Sequence, residues 1–255
     1  MPRQHLPNGQ PIWIDLATSN PQGAQSFYAA VLGWTYDIGG PEFGHYAVAR
    51  CDGLSAAGIG GIPSGVEMPP AWTVYFGVAS VDDTLTEATT HGGRVLAPAM
   101  DIGDFGRMAV VEDPTGAAFG LWQPVTHKGV SIVGEPGAFA WSEVNTRDAA
   151  AAAAFYTTVF GLRDERMEMQ GTPYHMLHTA EGPCCGVLQM TDEWGDLPPH
   201  WMAYFAVADA DAAKATVIQH GGQAPFGPFD SPYGRILVAV DPQGAAVSFI
   251  ELSRR

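Results

Sequence analysis

The amino-acid sequence predicts an α+β fold in which one structural unit is built twice along the chain. An internal repeat covers nearly the whole sequence, and each copy contains the order strand, helix, strands twice over. The length of 255 residues suits two domains of ordinary size, and a hydrophobic content of 46% is enough for two cores. We therefore expect antiparallel sheets that carry helices on their outer faces.

The repeat consists of matching residues at a nearly constant offset. Trp13 and Asp15 match Trp141 and Glu143, which lie 128 residues later. The offset is 129 between WTVYFGV at 72–78 and WMAYFAV at 201–207, and it is 128 again between DPTGAA at 113–118 and DPQGAA at 241–246. The segment between the copies, PVTHKGVSIVGEPG, is rich in Pro and Gly. The predicted domains are therefore residues 1–123 and 139–255, joined by a linker at 124–138.

The first module of each copy begins with a strand, predicted at 12–18 in the first copy, and continues with a capped helix. Asn20 is a favourable N-cap residue, Pro21 suits the first helical position, and Gly33 is a natural helix terminator. Asp148 and Gly161 take the equivalent places in the second copy. Two further strands are predicted in each copy, near 44–50 and 56–62, and near 173–179 and 185–190.

The second module of each copy begins with the aromatic strand at 72–78 or its repeat. A helix follows from near Asp82 and ends at the HGG of residues 91–93. A hairpin closes the module, and its turn is the segment DPTG at 113–116. Pro at the second and Gly at the fourth position of this segment are typical of a type I turn.

Composition and charge narrow the range of partners. The net charge of −15 disfavours nucleic acid and anionic membranes, because both require clustered positive charge. The sequence has no uninterrupted apolar run long enough to span a membrane, and no secretory signal is visible at its start. Cys51, Cys184 and Cys185 do not form a disulfide framework. We expect a cytoplasmic monomer or homodimer whose partner is a small molecule.

The ordered motifs resemble one known family. A polar-capped helix ending FYxxxxGW, a helix ending HGG, and a closing DPxGxxF/VxxW pattern are similar to the vicinal oxygen chelate superfamily, which includes glyoxalase I, extradiol dioxygenases and bleomycin-resistance proteins. The resemblance covers residues 12–123 and 140–252, and it is closest to the tandem two-domain actinobacterial branch often labelled "glyoxalase-like" or "hydroxylase". It implies paired βαβββ modules that form a cupped sheet, which holds a divalent metal or an apolar ligand.

This sequence departs from the family at the positions that bind the metal. The resemblance places the family's first and last ligands at Trp13 and Gly120 in the first copy, and at Trp141 and Ser248 in the second. The other two positions fall on Trp72 or Thr73 and on 59–61, and on Trp201 or Met202 and on 187–189. Of these positions only Gln189 could coordinate, since indole has no usable lone pair, and a divalent site needs three or four N, O or S ligands. We therefore expect no cofactor, with a divalent metal held by His45, His175, Gln189 and carboxylates as the alternative.

Alternation along the strands predicts which side chains line the cups. Trp13 and Asp15 share one face of their strand, as Trp141 and Glu143 do. The second-module strands add Trp72 or Tyr75 and Trp201 or Tyr204, depending on register. His45 and His175, placed on repeat-equivalent strands, could reach a cup. Arg107 and Arg235 could line it or could pair with Asp15 and Glu143.

Three hypotheses about function follow from this pattern. The first is a metal-free protein that binds a flat aromatic or apolar molecule, for sequestration or tailoring in secondary metabolism, with Asp15 and Glu143 as catalytic acid–base groups. A carboxyl group on an apolar face has a raised pKa, which suits that role. The second is a metal-dependent glyoxalase-like lyase, isomerase or oxygenase. The third is a scaffold whose tryptophans fill both cups.

Overall fold

A computed structural model describes residues 9–169 and 171–253. The outer ends of the predicted domains, residues 1–8 and 254–255, lie outside the described residues. The first copy contains β1 (Pro11–Thr18), α1 (Pro21–Leu32), β2 (Thr35–Ile38), β3 (Ala47–Cys51), β4 (Leu54–Gly61), β5 (Ala71–Gly77), α2 (Val81–Thr90), β6 (Arg94–Ile102), β7 (Gly106–Glu112) and β8 (Ala118–Pro124). The second contains β9 (Phe139–Thr146), α3 (Ala149–Phe160), β10 (Arg163–Met169), β11 (Thr172–Thr179), β12 (Gly182–Gln189), β13 (His200–Ala206), α4 (Ala210–Gln219), β14 (Gln223–Ser231), β15 (Gly234–Val240) and β16 (Ala246–Leu252).

The helices begin and end where the sequence predicts. The Asn20 side chain accepts a hydrogen bond from the backbone N–H of Gly23 at 3.0 Å, and Gly33 ends α1 in the left-handed conformation with φ of 72°. Asp148 and Gly161 do the same for α3. Glycine is favoured at these helix ends because a Cβ atom is disfavoured at that φ. None of the described helices is long and apolar enough to cross a membrane.

Each copy forms one eight-stranded sheet. The order is β2-β3-β4-β1-β5-β8-β7-β6 in the first copy, and the second copy has the same topology, β10-β11-β12-β9-β13-β16-β15-β14. Neighbouring strands are antiparallel except where the last strand of a module lies beside its first strand: β1 with β4, β5 with β8, β9 with β12 and β13 with β16 are parallel. Each sheet is therefore mixed, as four βαβββ modules require.

The two sheets share their helix-side cores across the repeat. One core combines the α1 module of the first copy with the α4 module of the second, so that Phe27 and Trp34 pack with Phe205 and Phe249. The other core combines the α2 module with the α3 module. Each core is thus built from one module of each copy, and the opposite faces of both sheets remain for the cups.

The aspartates of the two DPxG turns connect the copies. The hydroxyl of Tyr156 on α3 donates to Asp113 Oδ2 at 2.7 Å, and the indole N–H of Trp201 donates to Tyr156 at 2.8 Å. The symmetric contact joins Tyr28 on α1 to Asp241 Oδ2 at 3.1 Å. Each buried aspartate therefore depends on a hydroxyl from the other copy.

Replacing Tyr156 by Phe is expected to lower the free energy of unfolding by about 1–3 kcal/mol, because Asp113 Oδ2 and the Trp201 N–H would lose a buried partner. Urea denaturation of the two proteins measures the difference. Tyr233→Phe is the matched control, since Tyr233 is exposed, and we expect its effect to stay within about 0.5 kcal/mol. Equal stability of the Tyr156→Phe variant and the wild type would contradict the proposed connection.

Candidate binding cups

Each sheet curls until its two edges meet, and this creates a concave face. In the first copy Phe43, between β2 and β3, contacts Phe105, between β6 and β7, with ring centroids 5.4 Å apart. In the second copy the Tyr233 hydroxyl lies 3.8 Å from Met167 Sδ across the same gap. We call these concave faces the N-terminal cup, which contains Trp13, Asp15, Tyr46 and Tyr75, and the C-terminal cup, which contains Trp141, Glu143, Tyr174 and Tyr204.

A carboxyl group surrounded by tyrosines lies at the centre of the N-terminal cup. The Tyr46 hydroxyl donates to Asp15 Oδ2 at 3.2 Å, and the Trp13 indole N–H donates to the Tyr46 oxygen at 2.9 Å. The Tyr75 hydroxyl also hydrogen-bonds Asp15. The structure therefore agrees with the prediction that Trp13 and Asp15 share one face of β1. Of the two alternatives Trp72 and Tyr75, the register of β5 brings Tyr75 to this face.

The C-terminal cup repeats this arrangement. Tyr174 donates to Glu143 Oε2 at 3.0 Å, and Tyr204 donates to Glu143 Oε1 at 2.7 Å. The Trp141 indole N–H donates to the Tyr174 oxygen at 3.0 Å. Both carboxylate oxygens of Glu143 are thus occupied by tyrosine hydroxyls.

Three glycines make room for the tyrosines. A Cβ atom at Gly58 would collide with the Tyr46 hydroxyl, and one at Gly186 would collide with the Tyr174 hydroxyl. At Gly120, a Cβ atom would collide with the Tyr75 ring. Glycine is required at these places because the aromatic side chains lie directly on the backbone of the neighbouring strand.

Burial raises the pKa of both central carboxyl groups. Desolvation raises the pKa of Asp15 from 3.8 to about 7, although the Tyr46 and Tyr75 hydroxyls oppose the shift. Desolvation also raises the pKa of Glu143, against the effect of Tyr204 and Tyr174. The two groups differ in access, since Asp15 keeps a partly accessible surface and Glu143 is buried. Asp15 is therefore the carboxyl group that a molecule from solvent can approach.

The linker fills one end of the N-terminal cup. The His127 ring contacts Trp13 edge-on, with centroids 4.3 Å apart, and its backbone oxygen accepts the Trp122 indole N–H at 2.9 Å. Val130 donates its backbone N–H to Ile12 at 2.7 Å. Desolvation and the nearby charge of Arg50 lower the pKa of His127 to about 4, so this imidazole is neutral at neutral pH. Trp13 is only 3% exposed and offers no free face to a ligand.

The sequence and the fold can now be compared with known proteins. The model of the Glyoxalase/Bleomycin resistance protein/Dioxygenase superfamily matches residues 10–121 and 138–249. The chain belongs to this superfamily. CFP32 of Mycobacterium tuberculosis, a suggested glyoxylase, is 40% identical over 257 residues, which cover 98% of this chain and 97% of CFP32. The anthracycline biosynthesis protein DnrV of Streptomyces peucetius is 33% identical, with coverage of 96% and 94%.

Solved structures of the superfamily share the fold at low identity. The Mn(II)-bound glyoxalase of Novosphingobium aromaticivorans has a TM-score of 0.64 at 13% identity, over 96% of this chain and 82% of its own. The 2,3-dioxygenase LapB of Pseudomonas sp. KL28 has a TM-score of 0.65 at 15% identity, over 96% and 92%. The resemblance inferred from the sequence motifs is therefore confirmed.

The residues at the superfamily's metal positions do not fit a divalent ion here. Trp13 donates its N–H to Tyr46, and Gly120 lies beneath the Tyr75 ring. Gln189 caps the start of α3, where its Oε1 accepts the backbone N–H of Ala149 at 3.0 Å. Within residues 9–169 and 171–253, no three His, Cys, Asp or Glu side chains are grouped closely enough to bind a metal. The ligand set of the metal-dependent alternative is therefore not assembled.

Two of the predicted wall residues lie on the other side of their sheets. Trp72 belongs to the helix-side core, where its indole N–H donates to Tyr28 at 3.0 Å. Trp201 has the same role beside Tyr156. Both predictions are corrected by the register of β5 and β13, which points Tyr75 and Tyr204 into the cups and the tryptophans away from them.

The two arginines also face the helices rather than the cups. Arg107 pairs with Asp82 and Asp101, and Arg235 pairs with Asp211 and Asp230. Arg107 lies on the same face of β7 as Ala109 and Val111, which are buried in the helix-side core. Arg107 is therefore on the helix side of the sheet. Neither arginine pairs with Asp15 or Glu143, so both predicted roles are corrected.

The predicted histidines are likewise outside the cups. His45 is exposed on the turn before β3 and has a positive φ of 56°. His175 lies on the helix side of β11, where Nδ1 is 3.0 Å from Asp164. The repeat-equivalent residues that lie in the cups at this place are Tyr46 and Tyr174, which are 128 residues apart. His45 and His175 are 130 residues apart and are therefore not equivalent in the repeat. The repeat offset could have identified these two tyrosines, while nothing in the sequence pointed to His127.

The raised pKa of Asp15 predicts how stability depends on pH. Because the folded-state pKa of about 7 exceeds the unfolded value of 3.8, the folded state holds this proton more tightly. The contribution of Asp15 to stability is thus fully present below pH 3.8 and is lost as the pH rises toward 7. Relative to Asp15→Asn, the wild type is expected to lose about 1–3 kcal/mol over this window, a figure reduced for solvent screening.

Urea denaturation of both proteins at intervals from pH 4 to pH 8 measures this difference. Asp37→Asn is the control, because Asp37 is an exposed strand residue paired with Arg50. A stability difference between the wild type and Asp15→Asn that does not change with pH would contradict the assignment.

Proposed function

We propose that the chain binds a flat, largely apolar and hydroxylated small molecule in a cup, without a metal, and that the central carboxyl group hydrogen-bonds the ligand or takes up its proton. The observation that carries this proposal is the environment of Asp15. Its hydrogen-bond partners are the hydroxyls of Tyr46 and Tyr75, it lies on an apolar concave face, and it keeps access to solvent. Desolvation of a carboxyl group on such a face costs free energy even when hydroxyls donate to it, which favours a role in binding or chemistry.

The lining of the cup suits an aromatic ligand. Partly buried apolar residues surround Trp13, Tyr75 and Trp122 on this face: Tyr46, Val48, Ile102, Met108 and Val130. Apolar walls with a few convergent polar groups are typical of small-molecule sites. The ring of Tyr46 supplies an aromatic surface next to the Asp15 carboxyl, so a planar ring can pack on it while a hydroxyl substituent meets the carboxyl group.

A pKa near 7 suits proton transfer at neutral pH. A carboxyl group with this pKa is present in both protonation states under physiological conditions, so it can accept a proton or return one. Glu143, buried and bonded through both oxygens, is less suited to this role. We therefore propose the proton-transfer role for Asp15, which is the more accessible of the two carboxyl groups.

The relatives support a place in secondary metabolism. DnrV and DauV are named as anthracycline biosynthesis proteins, and each is aligned with 96% of this chain. Anthracyclines are planar, hydroxylated and largely apolar, which matches the chemistry of the cup. We extend the proposal to a cytoplasmic protein, consistent with the three free cysteines, acting as a monomer or homodimer.

Titration with a hydroxylated anthraquinone such as alizarin tests the binding proposal. We expect saturable quenching of tryptophan fluorescence in the wild type, because Trp13 and Trp122 lie in the cup wall. Asp15→Asn is expected to weaken binding by about 10- to 150-fold, since a hydrogen bond to a charged acceptor is worth roughly 1.5–3 kcal/mol. Asp37→Asn serves as the surface control. Absence of saturable binding would argue against the proposed function.

Elemental analysis of the purified protein tests the metal-free part. The proposal expects less than about 0.1 equivalent of Fe, Mn, Zn or Ni, and binding of alizarin that a chelator leaves unchanged. A stoichiometric metal whose removal abolishes binding would instead support the metal-dependent alternative.

A further inference from the structure

We infer that the ligand is bound by the N-terminal cup alone, entering beside Asp15 over the small residues Ala17, Ala71 and Thr73, and that the C-terminal cup is closed by larger residues at the same positions. This inference rests on the proposed function, which leaves open which cup binds. It is carried by a comparison of the two cups residue by residue, since the repeat gives each position of one cup a counterpart in the other.

Two rows of residues run across the N-terminal cup at the Asp15 end. Asp15 lies between Gly58 on β4 and Thr73 on β5, and Ala17 lies between Gly60 and Ala71. Apart from Asp15 itself, each of these residues is small. The Tyr46 side chain lies over Gly58 and Gly60, so the low part of the floor beside the carboxyl group is at Ala17, Ala71 and Thr73.

The same rows in the C-terminal cup are filled. Glu143 lies between Gly186 and Met202, and Asn145 lies between Leu188 and His200. The His200 ring is held in place, since Nδ1 is 2.8 Å from the Pro198 oxygen and Nε2 is 3.2 Å from Asn145 Nδ2. Thr73, Ala17 and Ala71 of the first cup are therefore replaced by Met202, Asn145 and His200.

Burial follows the size of these side chains. Met202, Asn145 and Glu143 are buried, with 6%, 2% and 6% of their surfaces exposed. Their counterparts Thr73, Ala17 and Asp15 are all partly exposed. The difference in access between the two carboxyl groups is thus explained by the neighbours that each cup provides.

The loop next to these rows, residues 190–199, also makes side-chain contacts in the second copy that the first copy lacks the residues to form. In the second copy the Arg147 guanidinium donates to the backbone oxygens of Thr191 and Gly195, which holds the loop 190–199 against the sheet. The ring centroids of Trp194, in this loop, and His200 are 6.2 Å apart. The positions that match Arg147 and Trp194 in the first copy are Ser19 and Gly65, which can form neither contact.

A hollow of about 150 Å³ on the second copy is the competing location. It lies against Trp141 at the opposite end of β9, and it is also lined by Gln10, Pro11, Phe139 and Cys184. A ligand in this hollow would meet a buried carboxyl group, since Glu143 is buried, whereas Asp15 is partly exposed. A hydroxylated ring is therefore better matched by the N-terminal cup, where its hydroxyl can reach Asp15.

Exchange of side chains between the cups tests the inference with alizarin as the probe. Thr73→Met and Ala17→Asn place in the first cup the residues that fill the second, and each is expected to weaken binding at least 10-fold. Met202→Thr and Asn145→Ala are the matched changes in the C-terminal cup, and we expect a change of less than twofold. Thermal unfolding of each variant checks that it is folded at the temperature of the titration.

The outcomes separate this inference from the proposed function. Loss of binding in Met202→Thr or in Trp141→Ala, with wild-type affinity in Thr73→Met and Ala17→Asn, would place the ligand in the second copy and overturn the inference alone. Absence of binding by the wild type would remove the proposed function and the inference with it.

A second measurement needs no ligand. Labelling with a carbodiimide and glycine ethyl ester, followed by peptide mass spectrometry, reports which carboxyl groups can be reached. We expect modification of Asp15 and protection of Glu143, with reduced labelling of Asp15 in Thr73→Met. Equal labelling of Asp15 and Glu143 in the wild type would contradict the difference between the cups.

Discussion

The buried aspartate of each DPxG turn constrains the whole molecule, because it obtains one of its hydrogen bonds from the other copy. Asp113 Oδ1 accepts the backbone N–H groups of Thr115 and Ala117, and its Oδ2 accepts the hydroxyl of Tyr156. A buried carboxylate that lacks a partner is strongly destabilising. The turn of one copy and the first helix of the other must therefore fold together, and this joins the helix sides of the two sheets. The concave faces lie on the opposite sides of the two sheets from these shared cores.

The hydrogen bonding of the polar groups also distinguishes these cups from a metal site. A metal site would place several donors around a central ion, whereas here one carboxyl group is surrounded by hydroxyls that donate to it. Gly58 and Gly120 have no side chain because Tyr46 and Tyr75 occupy that space. The tyrosines satisfy the carboxyl oxygens without neutralising them, so desolvation dominates and the pKa rises. The tyrosines that occupy the space above Gly58 and Gly120 are thus the same groups that surround Asp15.

Much of the fold could be predicted from the sequence, since caps, repeat offset and turn residues act locally. That Trp13 and Asp15 share one face of β1 was also predictable, because the alternation of side chains along a strand does not depend on the neighbouring strands. Trp72 and Arg107 were assigned wrongly because their strands carry aromatic or charged residues on both faces, so the register decides which face is inward. His45 was misplaced because a turn, rather than a strand, precedes β3. The exchange of modules between cores and the contact of His127 with Trp13 depend on tertiary packing and left no local signal.

The unequal filling of the cups also has an energetic meaning. Burying Met202 adds apolar contact to the second sheet, at about 25 cal/mol per Å² of apolar surface removed from water. The open rows at Ala17 and Thr73 forgo that stabilisation in the first sheet. Because the two sheets share both helix-side cores, stability gained in one cup supports the other. A duplicated fold can in this way keep small residues beside the central carboxyl group of one cup, since its partner carries more of the packing. Such a division of packing requires that the copies be joined, which the two tyrosine–aspartate contacts accomplish.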